Sequence, residues 1–215
     1  MENQVQVAPS FQEVIHERHS VRSYDPSRKI SEQEINELLS DAILAPSSSN
    51  LQPWRFLVIT DQALKEQLLP IAKNQQQVVD ASAVIAVLGD REAYRNVDQI
   101  WDSAVEAGYA TTEIRNRMTE NSWNAYSSFG PEIQKDIALV DGGLISMQLM
   151  LAAKARGYDT VPMGGYNVQD FRELFRIPDR YVNVMLIAVG YAAGEGRRTT
   201  RLPLSDVTFY NEFKG

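Results

Sequence analysis

Cysteine is absent from the 215-residue chain, and histidine occurs only at His16 and His19. With no thiol, the chain can form no disulfide, thiolate nucleophile, Cys-rich zinc site or iron–sulfur ligation of its own. The histidines sit in HERH, which is not HExxH, and no further His or Cys completes a site, so no metal centre is expected. Basic charge is also short: 21 Lys and Arg against 28 Asp and Glu give −7. That argues against a general nucleic-acid binder and leaves room for a local arginine cluster holding a phosphate. Ile137 to Ala153, the longest apolar stretch, is broken by Asp141 and two glycines and falls short of a span of about 20 residues. The opening MENQVQVAPS has neither a positive n-region nor an apolar h-region, so a cytoplasmic location is expected. GxGxxG and GxxxxGK[ST] are missing, which removes the Rossmann and P-loop readings.

What is present is ordinary globular composition, 44% apolar and 23% charged, with length enough for one sizeable core. One domain over residues 1–215 is expected. Ser10 with Glu13 and Ser31 with Glu34 are capping boxes. The first opens a short helix from about Phe11 to His19. The second opens a stronger one with Ile35, Leu38, Leu39, Ala42 and Ile43 on its apolar face. A polar loop, PSSSNLQPW, separates it from a strand at RFLVIT, after which Asp61 can cap a helix through Leu69. Ala83 to Leu88 is continuously apolar, the mark of a strand covered on both faces. Ile137 to Ala155 reads as a buried helix whose Gly142 and Gly143 suggest a close helix approach, with Gly157 beyond its end. VPMGGYN reads as a strand end and tight turn, Asn167 as the cap of a helix to Arg176, and Val182 to Tyr191 as a buried strand. Residues 90–131 differ: they are polar, partly helical and interleaved with Trp101, Tyr109, Trp123, Tyr126 and Phe129, as a lid could be.

Arg18 to Arg22 (RHSVR) sets two guanidiniums and a hydroxyl within five residues, donors suited to a phosphate or a planar anion. Alone it equally fits a solvated turn complementing the helix dipole. PSSSN is by composition an ordinary polar loop, Gly164 and Gly165 let backbone approach a flat ligand or merely turn the chain, and RRTTRLP reads as a basic tail. The aromatics of 90–131 fit core anchors as well as a ligand lid.

In order along the chain, RHSVRSYDP, PSSSNLQPWRF, DASAVIAVL, VPMGGY and RTTRLP together resemble the nitroreductase family of FMN-dependent oxidoreductases, from Phe11 to Phe213. The resemblance implies an α+β fold: a mostly antiparallel sheet flanked by helices, a helical insertion around 90–131, and a C-terminal arm around 197–215. Val207 to Tyr210 of that arm would add a strand to the partner's sheet in a homodimer with FMN at its interface. Carried over by position, Arg18 and Ser20 would hold the FMN phosphate with Arg201, and His19 would lie along the phosphate and ribityl chain. Arg22 would reach the N1 and O2 ring edge as the most catalytic side chain, stabilising negative charge there. Asn74 and Gln77 would bond the ring edge and ribityl hydroxyls, while Pro162, Met163, Gly164 and Gly165 would lie along the isoalloxazine. Pro46, Ser47, Ser48 and Asn50 would come from the other chain, and Trp123 would touch substrate. Thr199 stands where some members carry a basic residue, and Arg198 is placed to compensate. The implied reaction is ping-pong: hydride passes from NADH or NADPH to flavin N5, and a nitroaromatic or quinone then takes the electrons. Specialised relatives of the same fold (dehalogenases, flavin-fragmenting enzymes, azoline dehydrogenases) and a non-turnover flavin-binding module are the alternatives.

Overall fold

The computed structural model describes residues 9–213, so the opening Met1 to Ala8 and the last two residues of the arm lie outside it. Both capping boxes form: Ser10 and Ser31 accept from the backbone N–H of Glu13 and Glu34, whose carboxylates accept from the cap N–H groups in return. They start α1 (Phe11–Glu17) and α2 (Glu32–Ala42). The first helix ends short of His19. Arg18 is already extended (φ −67°, ψ 120°), and the Val21 N–H donates to the Thr160 carbonyl, so pairing with a distant strand replaces the last helical turn.

Four strands, β1 (Trp54–Ile59), β2 (Ala83–Asp90), β3 (Asp159–Met163) and β4 (Tyr181–Gly190), form one antiparallel sheet in the order β1-β2-β4-β3. The central pair is covered on both sides, as the unbroken apolar run of β2 implies. Val84, Ala86 and Leu88 face Leu68 of α3 (Gln62–Ile71), Val78 of α4 (Gln77–Asp80) and Phe171 of α8 (Val168–Leu174). Ala83, Ile85 and Val87 face Leu38 of α2 and Ile145 and Leu149 of α7 (Pro131–Ala155). Each such aliphatic side chain contributes roughly 1.5–3 kcal/mol by leaving water. Helix, sheet, helix is thus the layering that sets where the loops emerge.

Helix α7 is long and apolar enough to cross a membrane by length and composition, yet its inner face is packed on the sheet. Its glycines behave differently from the expected helix contact. A Cβ on Gly142 would overlap Val184 of β4, so the close approach is to the sheet, whereas Gly143 has open space beside it. Gly157 takes φ +81° just past the helix, a conformation costly for residues with a Cβ. On the outer face of α7, Val140, Leu144 and Met147 stay exposed.

Residues 91–130, between β2 and α7, are the helical segment expected as an insertion. A 3₁₀ turn at Ala93–Asn96 leads into α5 (Val97–Glu106) and α6 (Thr112–Ser128), joined by Arg115 of α6 to Asp98 and Asp102 of α5 at 2.8 Å each. The strand expected at Val207 to Tyr210 is one that pairs with a second chain's sheet, so a single chain does not test it. Val207 closes a one-turn helix, α9 (Leu204–Val207), and Val207 to Tyr210 forms no strand among the described residues. A strand needs a ladder partner, and within one chain the arm lies beside none. Its Leu202, Leu204, Val207, Phe209, Tyr210 and Phe213 are all exposed.

Candidate active site

The motif residues collect at two places. At the β3 edge, Ser20 pairs with Thr160 in a parallel bridge, and Asp25 and Ser23 exchange backbone hydrogen bonds with Tyr191 and Ala193. This strip carries Arg18, His19, Ser20 and Arg22 past the start of β3 and the loop after β4. Ser20 and Arg22 line an open cavity of about 390 Å³ with Gly194, Glu195, Gly196 and Arg197, so one carboxylate stands among the cations. Among the described residues, the ion pairs include neither Arg18 nor Arg22, so both guanidiniums keep their donors for an anion.

His19 donates from Nδ1 to the Glu17 carbonyl at 2.7 Å, which leaves Nε2 buried and without a partner among the described residues. Its ring lies so close to Gly196 that a Cβ there would overlap it. Arg198 reaches Glu17 at 2.9 Å, bringing the C-terminal motif back to the end of α1. Arg201 does not join this group; it donates to the Thr199 hydroxyl and the Thr200 carbonyl.

The turn after β3 meets the loop before α4. Pro162 and Met163 end the strand, and Gly164 and Gly165 follow, exposed and with nothing within 4 Å of where a Cβ would stand. Gln77 is buried, its amide donating to Gln75 and lying 3.5 Å from the Met163 sulfur, and Gln75 donates to the Gly165 carbonyl at 3.3 Å. Asn74 is exposed in the left-handed region (φ 55°). The expected ring-binding segments therefore adjoin in space, with Gln75, which sequence reading missed, as the link.

Pro46, Ser47, Ser48 and Asn50 lie at the other edge, in the turn that leads into β1. Three strand spacings, roughly 14 Å, separate the β1 and β3 lines of a four-stranded sheet, and one chain does not bring the two groups together. The turn is held by Asp141 of α7, whose carboxylate accepts from the Ser48 N–H at 3.1 Å and the Ser48 hydroxyl at 3.0 Å. Burial raises the Asp141 pKa, and the Ser48 bonds offset part of that rise. Trp123 is 42% exposed on α6 and meets Tyr94 edge-on with ring centroids 5.3 Å apart. Asp141 and Arg197, which lie beside these segments, are not among the expected site residues. Their signals in the sequence are the one acid in the run 137–155 and a third arginine in RRTTR.

The sequence matches the family profile Nitroreductase family over residues 15–191. The chain belongs to the nitroreductase family. YdgI of Bacillus subtilis, named a candidate NAD(P)H nitroreductase, is 45% identical over 199 residues, covering 92% of this chain and 95% of that protein. The CLA biosynthesis enone reductase of Lactiplantibacillus plantarum is 35% identical over 192 residues, 88% of each chain. A candidate nitroreductase from Exiguobacterium sibiricum, solved in complex with FMN, superposes with TM-score 0.92 at 46% identity, covering 96% of this chain and 99% of that one. The nitroreductase fold and the oxidoreductase class implied by the five motifs stand with these findings.

Proposed function

We propose that this nitroreductase-family protein binds FMN and passes hydride from NADH or NADPH to flat nitroaromatic or quinone acceptors. The observation that carries the reading is the pair of guanidiniums, Arg18 and Arg22, unpaired among the described residues, on the strip alongside β3, the strand that runs into the open Gly164–Gly165 turn. An anion and a flat ring, the two ends of FMN, need such donors and such an unobstructed backbone. When bound, FMN would supply two-electron hydride chemistry between the nicotinamide and the acceptor, in ping-pong order.

The chain's own part is binding and electrostatics. Arg18 and Ser20, with Arg197 and Arg198 nearby, hold the phosphate, and Arg201 joins them once released from Thr199 and Thr200. Arg22 offers a fixed positive charge to the electron-rich ring edge. Asn74, Gln77 and the Pro162–Gly165 backbone bound the ring, and His19 braces the loop at Gly196. Pro46, Ser47, Ser48 and Asn50 act on the flavin of a second copy, because they sit at the opposite sheet edge. The exposed apolar residues of α7 and the C-terminal arm supply surface for that homodimer. Cytoplasmic redox chemistry fits the cysteine-free composition. An activated C=C acceptor is the second reading, favoured by the relative named an enone reductase.

The test is a visible absorption spectrum of FMN-supplied protein, followed by anaerobic NADH and then NADPH. A flavin spectrum that bleaches and recovers with a nitroaromatic or quinone is expected. Arg22→Ala should slow bleaching by about a hundredfold, and Arg18→Ala should weaken FMN retention. Protein that binds no FMN overturns the reading. Flavin that resists both donors leaves a binding module instead.

A further inference from the structure

The turn that leads into β1 is built from residues that resist its shape. Ser49 (φ 49°), Asn50 (φ 55°) and Gln52 (φ 49°) are all left-handed without being glycine, a conformation that non-glycine residues visit rarely and seldom in succession. Local bonds close it in part: the Asn50 and Leu51 N–H groups donate to the Ser47 and Ser48 carbonyls at 3.0 and 3.1 Å, and the Ser47 hydroxyl accepts from the Gln52 N–H at 3.0 Å. Two further anchors come from far along the chain. Asp141 receives both the N–H and the hydroxyl of Ser48, and the hydroxyls of Ser49 and Tyr126 of α6 lie 2.8 Å apart. Asp141 and Tyr126 line the same small cavity of about 20 Å³.

Asp141 is 1% exposed and, among the described residues, has no cation paired with it. A buried carboxylate without a counter-ion opposes folding, and an apolar side chain at this buried position would serve stability better. Three bonds to one serine mark instead a carboxylate placed for the turn. Rigid support of this kind behind a binding loop is what a preorganised site requires.

We propose that Asp141 is a positioning residue of the site: it holds the Ser47–Gln52 turn in its left-handed form, and Tyr126 fastens the helical insertion to the same turn. The inference rests on the functional reading above, in which this turn faces the flavin of a second copy. Its consequence is that turn and insertion shift together, so the insertion sets acceptor access through Ser49 while Asp141 sets the grip on the cofactor.

The experiment compares Asp141→Ala, Asp141→Asn and Tyr126→Phe with Leu149→Ala, a core truncation in the same helix that serves as the stability control. FMN affinity is read by fluorescence titration, backbone exchange of 47–52 by mass spectrometry, and kcat and KM with a quinone. Asp141→Ala should weaken FMN about tenfold and deprotect the turn. Asp141→Asn, which keeps one carbonyl for Ser48, should lose less on both counts, and Tyr126→Phe should raise the acceptor KM with FMN affinity unchanged. Leu149→Ala should lower Tm and leave FMN affinity and turn protection alone. An Asp141→Ala protein that loses Tm like Leu149→Ala but keeps wild-type FMN affinity and a protected turn overturns the proposal. Should Asp141→Ala not fold, Asp141→Asn and Ser48→Ala decide the same question. If the unaltered protein binds no FMN, the functional reading fails, while exchange at 47–52 still decides whether Asp141 holds the turn.

Discussion

The covered sheet and the helical insertion are stabilised in opposite ways. In the sheet region, β2 is buried along its whole length, and the buried Lys65 and Asp90 both have partners. Lys65, fully buried, donates to the Val79 and Ala81 carbonyls at 3.0 and 2.7 Å, and Asp90 is held by Arg55 and Arg180. In the insertion, α5 and α6 bury only Val97 and Ser122, leave Ile114 and Trp123 partly in solvent, and contain two buried polar atoms, Trp101 Nε1 and Thr119 Oγ1, without partners among the described residues. Local opening free energy follows such contacts. The sheet is therefore a fixed frame that sets the two edges carrying the site, and the insertion is a part that can shift at small cost over it.

The largest effect should come from cutting the frame. Leu38→Ala, at a side chain with no exposure, is expected to cost about 2–5 kcal/mol in denaturant unfolding. Arg115→Ala, which removes the two exposed ion pairs joining α5 to α6, should lower the unfolding midpoint far less while raising hydrogen exchange across 97–128. Equal costs for the two would break the comparison.

A somewhat smaller effect should appear with pH. Burial pulls Lys65 down to about 8, with Lys29 adding to the shift, so the folded chain holds this proton less tightly than the unfolded one, where lysine titrates near 10.4. The unfolded state then binds more protons between these values, and stability rises with pH through that window. The Lys65 share of the rise is at most about 3 kcal/mol. Subtracting the pH profile of Lys65→Met isolates it. A profile unchanged by that substitution would mean that the ammonium is better solvated than its carbonyl cage implies.

What could be read from the sequence follows the range of the interactions. The capping boxes, the two-sided burial of β2, the Asn167 cap and the Gly157 terminator are local signals, and the helix starts, the strand and the helix end that they mark lie where they are expected. The end of α1 was misplaced because Val21 pairs with Thr160, a contact that nothing near Arg18 announces. The arm was expected as a strand, but that expectation depends on a second chain to pair with. In the site, the order of five motifs named the residues, yet the strand order β1-β2-β4-β3, which parts them between two edges, is a tertiary property. Asp141 was visible only as a charge in an apolar helix, and its partner Ser48 lies 93 residues away.

The smallest effect is the most discriminating, because α7 carries both kinds of environment on adjacent residues. Gly142 faces the frame, where an added methyl would overlap Val184. Gly142→Ala should therefore cost about 1–3 kcal/mol through overpacking, despite alanine's better helix propensity. Gly143 has open space beside it, close to exposed Val140, Leu144 and Met147. In dilute protein, Gly143→Ala should instead gain up to about 1 kcal/mol, the propensity difference alone. If this stripe is the surface that a second copy covers, the gain must shrink or reverse as concentration rises, because the methyl then meets a partner rather than solvent. Unfolding Gly143→Ala across a concentration series thus reports whether the outer face of α7 belongs to the surface or to the interface that completes the site.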